Sequence, residues 1–175
     1  LEIIEADALE TDVTALVLAP RRVVANLPYN IATPLLLGWL RRITDFEGLT
    51  LMFQKEVAER LAAKPRGKSY GRLSIITQWL AEVRFQFNIS KEAFTPPPKI
   101  ASSVVTLTPR PTPLAPAEWE SLERVTAQAF GQRRKMLRSS LKSLNLDFVA
   151  LGIEPTARAE ELSVEQFCSI ARTTG

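Results

Sequence analysis

Four prolines fall within eight residues at Pro109, Pro111, Pro113 and Pro116. Each lacks a backbone N–H and fixes φ, so neither a helix nor an interior strand can run through this stretch. It is read as a stiff linker over 110–116. The chain therefore divides into a region 1–109 of mixed pattern and a region 117–175 that reads as wholly helical.

In the first region, apolar runs alternate with helical patterns. Residues 1–6 and 23–27 read as short buried strands. Thr33 is placed to cap a helix with Pro34 at its first position, and Leu36, Trp39, Leu40 and Ile43 recur at helical spacing. Strands follow at 49–53, 83–89 and 103–108, with helices over 55–63 and 73–80 and a basic break at 64–68. Strands separated by helices predict an α/β fold with a largely parallel sheet. In the second region Trp119, Leu122, Val125 and Ala129 share one helix face. A basic helix is expected over 133–144, with Met136 or Leu137, Leu141 and Leu144 inward. Ser163 and Gln166 form a capping box, flanked by Leu162 and Phe167 as a hydrophobic staple.

Composition narrows the chemistry. The chain has no histidine, which excludes imidazole bases and His-ligated metals. The single cysteine, Cys168, excludes an intrachain disulfide and any Cys-x-x-Cys site, and its apolar helical face predicts an inert core thiol. No metal site is expected. No stretch reaches the length of a membrane span, and no signal-peptide pattern opens the chain, so a cytoplasmic location without membrane contact is expected. A net charge of +3 and a pI near 9.2 agree with a nucleic-acid partner without requiring one.

The sharpest local signal is Asn26-Leu27-Pro28-Tyr29, directly behind Val23-Val24-Ala25. An exocyclic adenine amine is a poor nucleophile because its lone pair is delocalised into the ring. The Asn26 side-chain oxygen and the Leu27 carbonyl can accept its two N–H hydrogens, drawing the nitrogen towards tetrahedral geometry. Pro28 holds a tight turn without adding a competing donor. Tyr29 offers a flat face to a base taken out of its stack; taken alone, the tetrapeptide is also an ordinary strand-to-turn junction. Phe94, ahead of the rigid Pro96-Pro97-Pro98, is a candidate second stacking surface, or equally a core ring before a turn. Asp7 follows a predicted strand, where α/β sheets bind ligands. Its carboxylate and the Ala8 N–H could hold an adenine, though Asp in that place also serves as a turn residue. Arg133, Arg134, Lys135, Arg138 and Lys142 contain no acid among them. On one helix, Arg134, Arg138 and Lys142 would form a stripe for RNA phosphates or a plain solvated face. Lys64, Arg66, Lys68 and Arg72 would extend it across the boundary between the regions.

These stretches together resemble the ribosomal RNA adenine N6-dimethyltransferase family, in its small-subunit (16S) branch. The likeness runs through Ala6-Asp7-Ala8-Leu9, Asn26 to Ile31 with Thr33-Pro34, Phe53 to Ala58, Tyr70 to Ser74, Phe94 to Lys99 and Ala129 to Lys135. It implies a Rossmann-like class I methyltransferase sheet followed by a small all-helical domain that contacts ribosomal RNA. It also implies S-adenosylmethionine as methyl donor, and as substrate two neighbouring adenines in the 3′-terminal hairpin of small-subunit RNA, in a 30S assembly particle. Asn26 and Leu27 would hold the amine, Tyr29 and Phe94 would stack the base, and Asp7, Ala8 and Asn26 would bind the cofactor. The family's Gly-rich loop has no counterpart among the scattered glycines here, so the sheet is expected to be incomplete and cofactor binding weak. Such a fragment is expected to have a disordered N-terminal segment or to self-associate through an exposed strand edge, whereas the parent would be a monomer. Two alternatives remain at this stage: a large-subunit adenine methyltransferase, and a non-catalytic RNA-binding or ribosome-assembly module.

Overall fold

Asp12 caps a single helical turn, α1 (Val13–Leu16), its side chain accepting the Thr14 N–H. Strand β1 (Arg22–Asn26) follows, then helix α2 (Tyr29–Arg41) and strand β2 (Gly48–Gln54), which pairs with β1 in parallel. A parallel pair needs a crossover of this kind, and α2 supplies it with Leu35, Leu36 and Leu40 buried. Helices α3 (Lys55–Ala62) and α4 (Arg72–Leu80), strand β3 (Ala81–Ile89) and strand β4 (Ser102–Pro109) complete the mixed region. The sheet order is β1-β2-β4-β3. The computed structural model describes residues 2–132 and 134–175.

Register sorts the two sheet faces. Leu49, Leu51 and Phe53 alternate with their neighbours on β2 and pair across to Leu107, Val105 and Ser103 of β4, all completely buried. The opposite face carries the rows Val24–Thr50–Thr106 and Asn26–Met52–Val104. Val24 on that face is 82% exposed.

The contacts group the chain into two compact units, Leu1–Ala58 with Arg84–Pro109, and Glu59–Val83 with Arg110–Gly175. The division is not the one expected at the proline linker, because residues 59–83 cluster with the C-terminal region. Within the second unit, Trp79 Nε1 donates to the Ala115 carbonyl at 2.7 Å, and the Leu114 N–H donates to the Trp79 carbonyl at 2.8 Å. Helix α5 (Trp119–Gly131) packs on α4, on the short α6 (Leu137–Ser140) and on α7 (Val164–Thr173). Phe130 stacks on Phe167 at 5.7 Å, and Tyr70 meets Phe130 edge-on at 6.3 Å.

The terminal capping box forms as expected. The Ser163 N–H donates to Gln166 Oε1 at 2.9 Å, the Gln166 N–H returns to Ser163 Oγ at 3.3 Å, and Leu162 and Phe167 are buried. Four other expectations are corrected. Residues 2–6 form no strand, and Ile3 is 86% exposed. Among the described residues no strand lies beyond β1 for them to join. Helix α2 begins at Tyr29 with Pro28 as its cap residue, so Pro34 sits inside it and forgoes the bond to the Asn30 carbonyl. The sheet is mixed, since β4 runs antiparallel to β2.

The basic helix over 133–144 is absent as a continuous element. Met136 bridges to Arg158, and the Leu137 N–H donates to the Ala157 carbonyl at 2.8 Å. That pairing commits the backbone to an extended conformation where a helix would need it wound. Only α6 and one 3₁₀ turn, Lys142–Leu144, remain helical.

Candidate base-binding site

Asn26 ends β1, paired with Met52, and the chain turns at once through Leu27 and Pro28 into α2. The turn is held by the Ile31 N–H, which donates to the Pro28 carbonyl at 3.1 Å. Leu27 is buried, whereas Asn26 and Tyr29 reach the surface. Phe94 comes from the β3–β4 connection, where its N–H closes a 3₁₀ turn on the Lys91 carbonyl. These segments meet around a cavity of about 370 Å³, lined by Asn26, Leu27, Pro28, Tyr29, Met52, Phe94, Thr95, Pro96 and Pro98. All five residues read from the sequence as acting on the base share its walls.

By sequence Met52 is one residue of the apolar strand 49–53. Its place opposite Asn26 puts it in the cavity, a consequence of strand register that the sequence does not disclose. Ser102 was also missed; its hydroxyl bonds Tyr29 Oη at 2.6 Å.

The residues read as cofactor ligands divide. Asn26 lines the cavity, but Asp7 and Ala8 do not. Asp7 is exposed and shapes a turn, its Oδ1 accepting the Leu9 N–H at 2.8 Å and its carbonyl accepting the Thr11 hydroxyl at 2.6 Å. Ala8 lines a different hollow with Asp12, Trp39 and Arg42. There Arg42 bonds Asp12 at 2.9 Å and Asp45 at 2.8 Å. The Thr14 hydroxyl and then Arg42 hold the Asp12 carboxyl at about 2. Among the described residues no cluster of acids and cysteine is placed to hold a metal, and no helix is long and apolar enough to cross a membrane.

Arg134, Lys135, Arg138 and Lys142 are exposed and belong to the second unit. Lys68 and Arg72 are exposed in the same unit, Lys68 just past a tight turn where a Cβ on Gly67 would come within 2.8 Å of the Lys64 carbonyl. Arg133 lies outside the described residues. The single stripe expected of Arg134, Arg138 and Lys142 does not form, because no one helix carries them.

Residues 1–174 match the family described as ribosomal RNA adenine dimethylase. The chain belongs to that family. It is 64% identical over 175 residues to the ribosomal RNA small subunit methyltransferase A of Rhodospirillum rubrum, covering 98% of this chain and 61% of that protein. The protein of the same description from Paramagnetospirillum magneticum is 65% identical, with 98% and 62% covered. The chain thus spans a little over three-fifths of the length of these curated relatives. Among solved structures it resembles a dimethyladenosine transferase from Plasmodium falciparum, with a TM-score of 0.80 and 25% identity over 97% of this chain and 70% of that one. The fold is also shared with the 23S rRNA methyltransferase ErmE, at a TM-score of 0.68 and 23% identity over 99% of this chain and 71% of that one. These matches establish the fold as Rossmann-like.

Proposed function

We propose that this chain carries the target-base site of an enzyme that dimethylates adenine N6 in small-subunit ribosomal RNA. The observation that carries the proposal is the convergence of Asn26, Leu27, Tyr29 and Phe94 on one cavity. Two acceptors and two aromatic rings are what an extruded adenine needs: partners for both amine hydrogens and a surface for each face of the ring.

The Asn26 side-chain oxygen and the Leu27 carbonyl take the amine N–H groups, which localises the nitrogen lone pair. Tyr29 and Phe94 hold the ring so that the lone pair points along one direction. S-adenosylmethionine, the donor the family implies, supplies an electrophilic methyl group. No residue need act as a base, since the proton leaves to water once the nitrogen has become cationic. Positioning supplies most of the rate. Asp7 and Ala8 stand apart from the cavity walls, so no geometry for the donor is assigned to them.

Exposed Lys68, Arg72, Arg134, Lys135, Arg138 and Lys142 supply phosphate contacts to the ribosomal RNA, in a small-subunit assembly particle. The test is to give the intact protein labelled donor and small-subunit particles lacking the modification, then digest the RNA to nucleosides. Dimethyladenosine in the 3′-terminal hairpin is expected. Label confined to large-subunit RNA, or none from a folded protein, would overturn the proposal.

A further inference from the structure

Tyr29 Oη and Ser102 Oγ lie 2.6 Å apart, and either hydroxyl can be the donor. The partners differ in setting: Ser102 is completely buried, whereas Tyr29 is 36% exposed. Ser102 opens β4, in register with Gln54 of β2. Its neighbours are fixed on both sides. The Ala101 carbonyl accepts the Lys55 N–H at 2.9 Å, and Ser103 Oγ donates to Asn88 Oδ1 at 2.7 Å. The Ser102 hydroxyl is therefore a point fixed to the sheet.

Tyr29, by contrast, is the first residue of α2, where its side chain extends towards the cavity from a helix end. A bond at Oη restrains χ1 directly, because the Cβ-to-Oη axis cannot swing without breaking it. The in-plane preference of the phenol oxygen also biases χ2. A ring so held keeps one orientation at the cavity wall before any base arrives, and lost side-chain freedom need not be supplied at binding.

We propose that Ser102 is a positioning residue for the target adenine and acts only through the Tyr29 ring. The inference rests on the cavity being the base site. Neither ring stacking nor amine capture needs the phenol hydroxyl itself, so its bond to Ser102 gives that hydroxyl a role.

The test compares Ser102→Ala, Tyr29→Phe and the double variant in the intact protein, by single-turnover methylation and by KM for the RNA. Each single change is expected to slow methyl transfer about threefold to tenfold, the net effect of one hydrogen bond. The double variant should be no slower than either single, because both remove the same bond. KM should hardly move, since phosphate contacts dominate RNA affinity, and Ser102→Thr, which keeps the hydroxyl, should recover the rate. A purely structural serine would lower Tm and leave the rate unchanged, which overturns the proposal. Multiplicative losses in the double variant overturn it too. If Ser102→Ala fails to fold, Tyr29→Phe decides alone, and a wild-type rate in that folded variant is fatal. Tyr29→Ala separates the two layers, because a wild-type rate there would sink the base-site reading itself, whatever Ser102 does.

Discussion

Replacing Phe94 by alanine should separate what the cavity does from what holds the fold. The ring lines the same cavity as residues 26–29 and is only partly buried. It stands between a 3₁₀ turn and three prolines, outside the buried sheet face. Its removal should therefore cost less than the roughly 3–5 kcal/mol of a fully buried phenylalanine. An aromatic face under an unstacked base contributes about 1–3 kcal/mol, which corresponds to about 5- to 150-fold in the population of correctly held adenine. Single-turnover methylation by the intact Phe94→Ala protein should slow by a factor in that range, with Tm lowered by only a few degrees. Phe94→Leu restores apolar area without a π face and should recover part of the rate. An unchanged rate in folded Phe94→Ala would refute stacking as the role of this ring. So would full recovery by leucine, which would reduce that role to generic apolar contact.

Three further outcomes are expected. Burial pushes the Cys168 thiol from 9.0 up to about 12, with Glu165 adding in the same direction, and burial also raises the Tyr70 phenol. Up to about pH 8 both groups are almost wholly protonated, folded or unfolded, and give little pH dependence. Above it the unfolded chain releases protons that the folded chain retains, so stability falls as pH rises. Urea midpoints that stay level from pH 7 to about 10.5 would contradict this. The same burial predicts that Cys168 resists thiol reagents until denaturant unfolds its unit; immediate labelling of the native protein would show that the unit opens. Ser163→Ala removes one half of the capping box and should lower stability by about 1 kcal/mol, read as a shift in urea midpoint at unchanged slope, with no shift contradicting the cap.

Local physics explains what was legible in the sequence. The strand at Arg22–Asn26, the strand at Gly48–Gln54 and the Ser163–Gln166 capping box depend on residues close in sequence. The sequence offers Asn26 to Tyr29 and Phe94 as separate local candidates, and the segments that carry them meet at one cavity. What failed depended on distant partners. Nothing near Arg134 announces that Met136 will pair with Arg158, yet that bridge removes the basic helix. Residues 2–6 read as a strand, yet none forms, and among the described residues no strand lies beyond β1 to pair with them. Phe85 and Phe87 alternate as a half-buried strand should, yet both are exposed, since periodicity reports which residues share a face and not what covers it. Met52 and Ser102 joined the site through strand register, which no short motif encodes.

The central claim is that the Asn26 end of β1 holds the amine that is methylated. Asn26→Ala in the intact protein tests it most directly, with the rate of dimethyladenosine formation measured under single-turnover conditions and folding checked by Tm. Loss of one acceptor leaves the amine misaligned, and a misplacement of about 1 Å can cost on the order of 100-fold. A fall of that size at near-native Tm is the predicted result. A folded Asn26→Ala protein that methylates small-subunit RNA at the wild-type rate would contradict the account.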